Sequence, residues 1–308
     1  MAETVAVHST PSREVVLDPS LTGTEALGRI SRTSLDMMRY HERLALDRNG
    51  EGVHQMRVAT RRLRAGLSGF RKPLRDDYDW INGELRQIAG VLGDARDIDV
   101  FKDSLIAKAE TDVPNIRLLQ ETIQELSDIA YSKVQRAIKS ARYNSLRFSI
   151  SRLAENETPI SDDKLREIVP QLLDERFSAV RKASRNFDQQ GQKKRHALRL
   201  ALKKFRYTCE LYGSLYVPDR VEVFITEMKR LQDDLGDAND VETAKQLVKR
   251  MVKKADDGVA AAVAEVGRNL IKFHQERVEK HEDRMERHLE RLLASPPFWN
   301  FGRPVAAL

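Results

Sequence analysis

Two stretches of this chain, 142 residues apart, carry one pattern of cations in one helical register. His54-Gln-Met-Arg57-Val-Ala-Thr-Arg61-Arg62-Leu-Arg64 aligns with His196-Ala-Leu-Arg199-Leu-Ala-Leu-Lys203-Lys204-Phe-Arg206, and every basic position coincides. The same offset, with no gap, carries Arg39 onto Arg181 and Arg43 onto Arg185. Further on, Leu92-Gly93-Asp94-Ala95-Arg96-Asp97 aligns with Leu235-Gly236-Asp237-Ala238-Asn239-Asp240 at an offset of 143. A chain of 308 residues that repeats itself once has two copies of one plan to fold, each long enough for its own core. The halves fall at 20–157 and 158–300. A flexible tail over 1–19, with Pro11 and Pro19 and no helical period, precedes them, and a short C-terminal tail over 301–308 follows.

Within the halves, Leu, Ala, Arg, Lys and Glu dominate, apolar residues recur at three and four, and β-branched alternation is rare. This predicts helices near 21–47, 54–71, 77–93, 95–110, 114–154, 162–188, 194–216, 219–235, 239–255 and 259–294, separated by glycine and proline. The expected fold class is all-α: two antiparallel helical bundles related by the internal duplication as a pseudo-twofold pair.

At about 100° per residue, His54, Arg57, Arg61 and Arg64 fall within an arc of roughly 80°. Met56, Ala59, Leu63, Leu67 and Phe70 take the opposite face, and Arg62 sits at the edge. The second copy repeats this, with His196, Arg199, Lys203 and Arg206 on one side and Lys204 at the edge. Leu198, Ala201, Phe205, Cys209 and Tyr212 lie opposite. An ordinary solvated helix face mixes signs, because like charges at i,i+4 repel. Here cations line up without an acid among them, twice, and a bound anion is the natural compensation for their self-repulsion. The net charge of +6, from 53 Lys and Arg against 47 Asp and Glu, is modest, so arrangement matters more than excess. In the last helix, His274, Arg277, His281, Arg284, His288 and Arg291 share one side, a possible further basic edge.

The Leu-Gly-Asp run reads as a helix N-cap, Asp94 or Asp237, with an acid three residues on, Asp97 or Asp240. These carboxylates could also hold arginines of the stripe. Cys209, the single cysteine, lies on an apolar face and reads as a buried thiol; it excludes an intrachain disulfide and a cysteine zinc site. His54 and His196 have arginines for neighbours, which repel a metal. No metal, cofactor or catalytic residue is therefore expected. There is no phosphate loop of the Gly-x4-Gly-Lys type, and His41-Glu42 lacks the second histidine of a zinc-protease motif. No apolar run reaches the length of a membrane span or a signal peptide, so the expected location is the cytoplasm.

The pattern His-x-x-Arg-x-x-x-Arg-Arg-x-Arg at His54 to Arg64, relaxed at His196 to Arg206, resembles the CHAD family, the conserved histidine α-helical domain. So do Leu-Gly-Asp-Ala-Arg-Asp-Ile-Asp-Val at 92–100, Lys203-Lys204-Phe205-Arg206-Tyr207, and Pro297-Phe298-Trp299. The resemblance covers roughly 20–300 and is strong because the set is duplicated in order. It implies two helical bundles with a basic central groove or pore, inorganic polyphosphate as ligand, and association with polyphosphate granules. Other polyanions fit the same chemistry. Many relatives carry a triphosphate-tunnel domain as well; 308 residues leave no room for one, so turnover of triphosphate is not expected. Asn239, where the first half has Arg96, makes the halves inequivalent.

Two other functions share parts of the pattern. A nucleic-acid binder would use the same cations, but single-strand binders add aromatic stacking platforms, and only Tyr207 adjoins the stripes. A prenyl-diphosphate synthase would use Asp233-Asp234-Leu-Gly-Asp237 for magnesium, yet the first half has Gly90 and Val91 where that motif begins.

Overall fold

A computed structural model describes residues 11, 12, 14–185, 192–280 and 282–300. Among them are ten α-helices: α1 (Gly23–Leu46), α2 (Gly50–Ser68), α3 (Arg71–Val100), α4 (Arg117–Ile138), α5 (Ala141–Ala154), α6 (Leu165–Ala183), α7 (Gln192–Tyr212), α8 (Pro218–Lys254), α9 (Asp257–Glu279) and α10 (Glu282–Ala294). The described residues form no strand, only one isolated antiparallel bridge between Thr22 and Lys164. The all-α expectation therefore holds.

Local chemistry fixes the helix starts. Thr22 Oγ1 accepts from Glu25 N–H at 3.2 Å, while Glu25 Oε2 accepts from Thr22 N–H at 2.7 Å, a reciprocal cap on α1. Asn49 Oδ1 accepts from Gly52 N–H at 3.0 Å to open α2. A β-carbon at Gly52 would lie 2.6 Å from that of Leu44, so the tight α1–α2 corner requires glycine there. Ser140 caps α5 by accepting from Tyr143 N–H at 3.1 Å, which divides the helix expected over 114–154 into α4 and α5. The helix expected over 259–294 is likewise divided, into α9 and α10.

Elsewhere the structure joins what the sequence separates. The expected breaks near Asp94 and Asp237 do not occur: both residues lie inside helices, α3 and the 37-residue α8. Neither aspartate is an N-cap. The Leu-Gly-Asp-Ala run keeps helical geometry because its apolar members, Leu92, Ala95 and Leu235, are buried at helical spacing, and tertiary burial outweighs the roughly 1 kcal/mol cost of an interior glycine. After α3 the chain continues through a π-helical segment, Phe101–Ile106.

The end of the expected N-terminal tail is anchored. Leu17 is buried and its N–H donates to Ser214 Oγ at 3.3 Å, while Val16 C=O accepts from Arg29 at 3.3 Å. The linker between the halves runs alongside: Gly23 N–H donates to Asp163 C=O and Leu165 N–H to Leu21 C=O, each at 3.0 Å. The tail over 301–308 lies outside the described residues.

The apolar faces read from the two stripes are core. Met56, Ala59, Leu63, Leu67 and Phe70 are buried, as are Leu198, Phe205, Cys209 and Tyr212; Ala201 packs partly buried against them. Each fully buried large side chain contributes about 1.5–3 kcal/mol of transfer free energy. In α6–α8 the core is closed by aromatic edges. Trp299 meets Phe177, Phe205 and Phe224 with ring centroids 5.7–5.8 Å apart, and its indole N–H donates to Asp174 at 2.8 Å. This fixes the chain end onto α6. The helix pairings place α2 against α1, α3 and α7, and α7 against α6, α8 and α2. The two stripe-bearing helices thus pack on each other across the halves. Arg176 of α6 adds a second tie by donating to Ser68 Oγ of α2 at 2.7 Å.

Candidate functional site

Where α2 meets α7, four of the predicted cations come within mutual electrostatic reach: Arg57 and Arg61 from α2, Arg199 and Lys203 from α7. Arg61 donates to the Tyr207 hydroxyl of α7 at 3.4 Å, a direct link across the halves. Asp97 of α3 and Asp240 of α8 border the same cluster, close enough that each acts on Arg199. Both carboxylates are held above the usual carboxylate range by burial, against the pull of Arg57 on Asp97 and of an Asn239 hydrogen bond on Asp240.

The cations register the shortage of negative charge. Burial, then the repulsion of Arg61, lowers Arg57 to about 10, against the opposing pull of Asp97. Burial also lowers Arg199. Lys203 is lowered furthest, to about 7, first by burial and then by Arg199, Arg61 and Arg57, with Asp240 only partly offsetting them. Among the described residues Lys203 has no ion-pair partner. The Nε atoms of Arg57 and Arg199 are buried without a hydrogen-bond partner. Buried donors normally find acceptors, and those left over favour an anion that can supply several oxygens. Asp97 and Asp240, which sequence reasoning took mainly for capping residues, instead partly compensate this cluster.

Other predicted residues lie around it or away from it. His54 is half-buried beside Arg96, Glu51, Arg57 and Arg61; burial, then Arg96, lowers its pKa. Arg64 turns to Asn82 Oδ1 at 3.0 Å, and Arg206 to Glu210 at 3.3 Å. Arg62 is half-buried and Lys204 exposed. His196 and Arg199 line a cavity of about 740 Å³ between α7, α8 and α9, together with Arg195, Lys245, Glu242 and Glu279. Arg195 was not singled out in the sequence because it has no basic counterpart at the repeat offset; Lys245 has one in Lys102 at the offset of 143, but lies outside the duplicated stripe.

The earlier helices do not deliver their cations to the cluster. Arg39 is exposed near Tyr143, and Arg43 is exposed with Asp47 at 4.0 Å. Arg181 lies over the Phe177 ring at 4.3 Å, and Arg185 is exposed. Their faces follow from α1, whose Met37, Met38, His41 and Ala45 turn into the core and leave Arg39 and Arg43 outward.

The basic edge of the last helices is engaged internally. His274 is buried with its ring nitrogen 2.9 Å from Leu105 C=O, and burial lowers its pKa. Arg277 is exposed, over the Phe273 ring at 5.6 Å. His281 lies outside the described residues. Arg284 donates to Asp234 Oδ1 at 2.5 and 2.9 Å, and His288 Nδ1 lies 2.8 Å from Asp234 Oδ2. Asp234 is the buried middle of the aspartate-rich motif, so the carboxylate that a prenyl-diphosphate site would aim at magnesium is instead clasped by α10. No group of three or more His, Cys, Asp or Glu side chains among the described residues could hold a metal ion. No helix among them is long and apolar enough to cross a membrane.

Comparison with known proteins places this geometry among relatives. In overall fold the chain is similar to the CHAD domain from the plant Ricinus communis, with a TM-score of 0.73, 21% identity, and 96% of this chain and 98% of that one covered. It is also similar to PptA from Streptomyces chartreusis, with a TM-score of 0.67, 16% identity, and 87% and 99% covered. Uncharacterised proteins from two strains of Mycobacterium tuberculosis are 30% identical over 202 residues, 60% of this chain. The matched stretch spans only 39% of the length of those relatives. The CHAD domain family matches residues 29–249, a span that includes both cation stripes and both Leu-Gly-Asp runs. The chain belongs to the CHAD domain family.

Proposed function

We propose that this protein binds inorganic polyphosphate through the cations at the α2–α7 contact, in a basic groove between two duplicated bundles. The observation that carries the reading is the convergence of Arg57, Arg61, Arg199 and Lys203, two from each half, on one partly desolvated and under-compensated site. A flexible chain of phosphates supplies closely spaced negative oxygens and needs no base recognition. Guanidinium forks match such oxygens in pairs. His54 and Arg96 lie beside Arg57 and Arg61 on the first half, and Arg195, His196 and Lys245 line the cavity that Arg199 shares on the second. Membership of the CHAD family supports the same ligand class.

The bound chain is held, not consumed. The groups facing it are cations that pair with charge, and the two adjoining carboxylates are taken up in balancing them. Association with polyphosphate granules follows as the cellular setting of such a binder. Retention on immobilised polyphosphate, with DNA and heparin as competitors, tests the reading. Preferential elution by polyphosphate is expected; preferential elution by DNA would replace it with a nucleic-acid function. Steady release of orthophosphate by the purified protein, lost on substitution of a single acidic residue, would overturn binding without turnover.

A further inference from the structure

The amine of Lys203 occupies an unusual setting for a lysine. It is half-buried, has no carboxylate partner within ion-pairing distance among the described residues, lies one turn after Arg199 on α7, and is within electrostatic reach of Arg57 and Arg61 from α2, the latter bonded to Tyr207 one turn further on. Among the described residues, Asp240 from α8 is the acid that acts on it most. Its neighbour Lys204 is exposed, so one helix turn carries two amines in opposite environments.

We propose that Lys203 is a site of acylation by small acyl phosphates, for which the surrounding arginines provide the docking charge. The proposal rests on the reading that the cluster accepts phosphate, and adds a covalent consequence to it. The guanidinium groups of Arg57, Arg61 and Arg199 hold the phosphoryl oxygens of the reagent, as they would hold a phosphate of the polymer. Nζ, in its neutral form, attacks the acyl carbon. The new C–N bond forms as the acyl C–O bond to phosphate breaks, and the amine gives up one proton to the departing phosphate, which leaves as the hydrogen phosphate dianion. The product is an amide at Lys203 and one equivalent of orthophosphate; no oxidant, metal or nucleotide is needed.

Three features favour this residue over other lysines. The arginine cluster draws an anionic electrophile toward the amine and stabilises the charge that builds on the leaving phosphate. Half-burial leaves the amine reachable while disfavouring its charged form. With a lowered pKa of about 7, much of the amine is neutral near pH 7.4, whereas an ordinary lysine is neutral in only about one part in a thousand. Lower basicity also lowers intrinsic nucleophilicity, so the net advantage is smaller than the ratio of neutral fractions. A gain of about tenfold or more remains. Acylation removes a cation from the centre of the site, so the modified protein should bind polyanions less tightly.

The test uses the full chain, acetyl phosphate at pH 7.4, and mass spectrometry of the peptides carrying Lys203 and Lys204. Lys203 is expected to be acetylated about tenfold or more faster than Lys204. Added orthophosphate or pyrophosphate should slow Lys203 selectively by competing for the arginines. Equal rates at the two lysines, or a competitor effect that is the same at both, would overturn the proposal. R199Q should reduce the Lys203 rate; should that variant fold poorly, the competition experiment on the unaltered protein still decides. The readout needs no polyphosphate. Selective acetylation in a protein that does not retain polyphosphate would leave this inference standing and sink the proposed function, and the reverse outcome would do the opposite.

Discussion

Replacing Lys203 by arginine is expected to remove most of the pH dependence of polyphosphate binding between pH 7 and pH 8.5. In the free protein the lysine is lowered to about 7 by burial and by Arg199, Arg61 and Arg57. A polyanion placed among these cations reverses the balance of charge, so the bound-state pKa moves back toward the ordinary lysine value of about 10.4. The sign follows by linkage: the bound state takes up a proton that the free state lacks above about pH 7, so affinity is full below that pH and declines as pH rises through it. With a free-state pKa of about 7, Lys203 is about nine-tenths protonated at pH 6 and about one-tenth at pH 8. The affinity ratio across that interval is therefore about tenfold, or about 1.4 kcal/mol. Asp97 of α3 and Asp240 of α8 also face the cluster; both are raised, and protonation of either at acid pH would add affinity in the same direction. His54 is lowered from 6.5, so in the free protein its charging is confined to more acidic pH, and the comparison with K203R isolates the contribution of the lysine. Titration calorimetry with a defined-length polyphosphate, in buffers of different ionisation enthalpy, reads both affinity and protons taken up. The unaltered protein should take up close to one proton at pH 8, and K203R none from this residue while keeping its affinity. A flat affinity from pH 6.5 to 8.5 in the unaltered protein, or an unchanged slope in K203R, would refute the reasoning.

Other predictions bear on the site and the scaffold separately. Reversing Arg57, Arg61 and Arg199 to glutamate should abolish retention on polyphosphate at any pH while circular dichroism keeps its helical signal, because these side chains are not part of the apolar core; retention by the folded triple variant would show that the cluster is not the site. The unaltered protein should lose affinity linearly in the logarithm of salt concentration, and H54Q should keep that slope while losing only affinity gained on the acid side, where burial and Arg96 confine the charging of His54. D234N should leave polyphosphate binding in place but cost about 2 kcal/mol in denaturant unfolding, since it strips one buried carboxylate of its charge opposite Arg284 and His288. Gly267→Ala should destabilise by about 1–3 kcal/mol because its β-carbon would meet Val248 Cγ1 at 2.3 Å, whereas Gly90→Ala, with open space around it, should stabilise α3 by about 0.5–1 kcal/mol; thermal melts of the two variants distinguish them.

The stripe on α2 and α7 was legible because helical periodicity converts spacing into direction. Once Met56, Leu63 and Leu67 go to the core, Arg57 and Arg61 have to face elsewhere. The same rule did not reveal what lay opposite them, since the approach of α7 to α2 is a tertiary event with no local signature. The repeat offset had a narrower meaning than its regularity suggested. It carries Arg39 onto Arg181 and Arg43 onto Arg185 as faithfully as it carries Arg57 onto Arg199, yet the first four are exposed at the periphery. A shared register reports a shared helix, and the neighbours that the helix meets decide whether its cation is a site residue.

Asp94 and Asp237 failed as caps for a related reason: a Gly-Asp step matches the local signal for a helix boundary, but buried Leu92, Ala95 and Leu235 hold the helix continuous through it. Reference values single out histidine near neutral pH, whereas Lys203 reaches that range only through the burial and like charges that packing brings to it. A cation stripe read from sequence therefore identifies the face that the proposed anion would meet. Which of its members would sense pH depends on how much uncompensated positive charge the fold places around each one, and at the α2–α7 contact burial and like charge point to Lys203, which stands where the first half has Arg61.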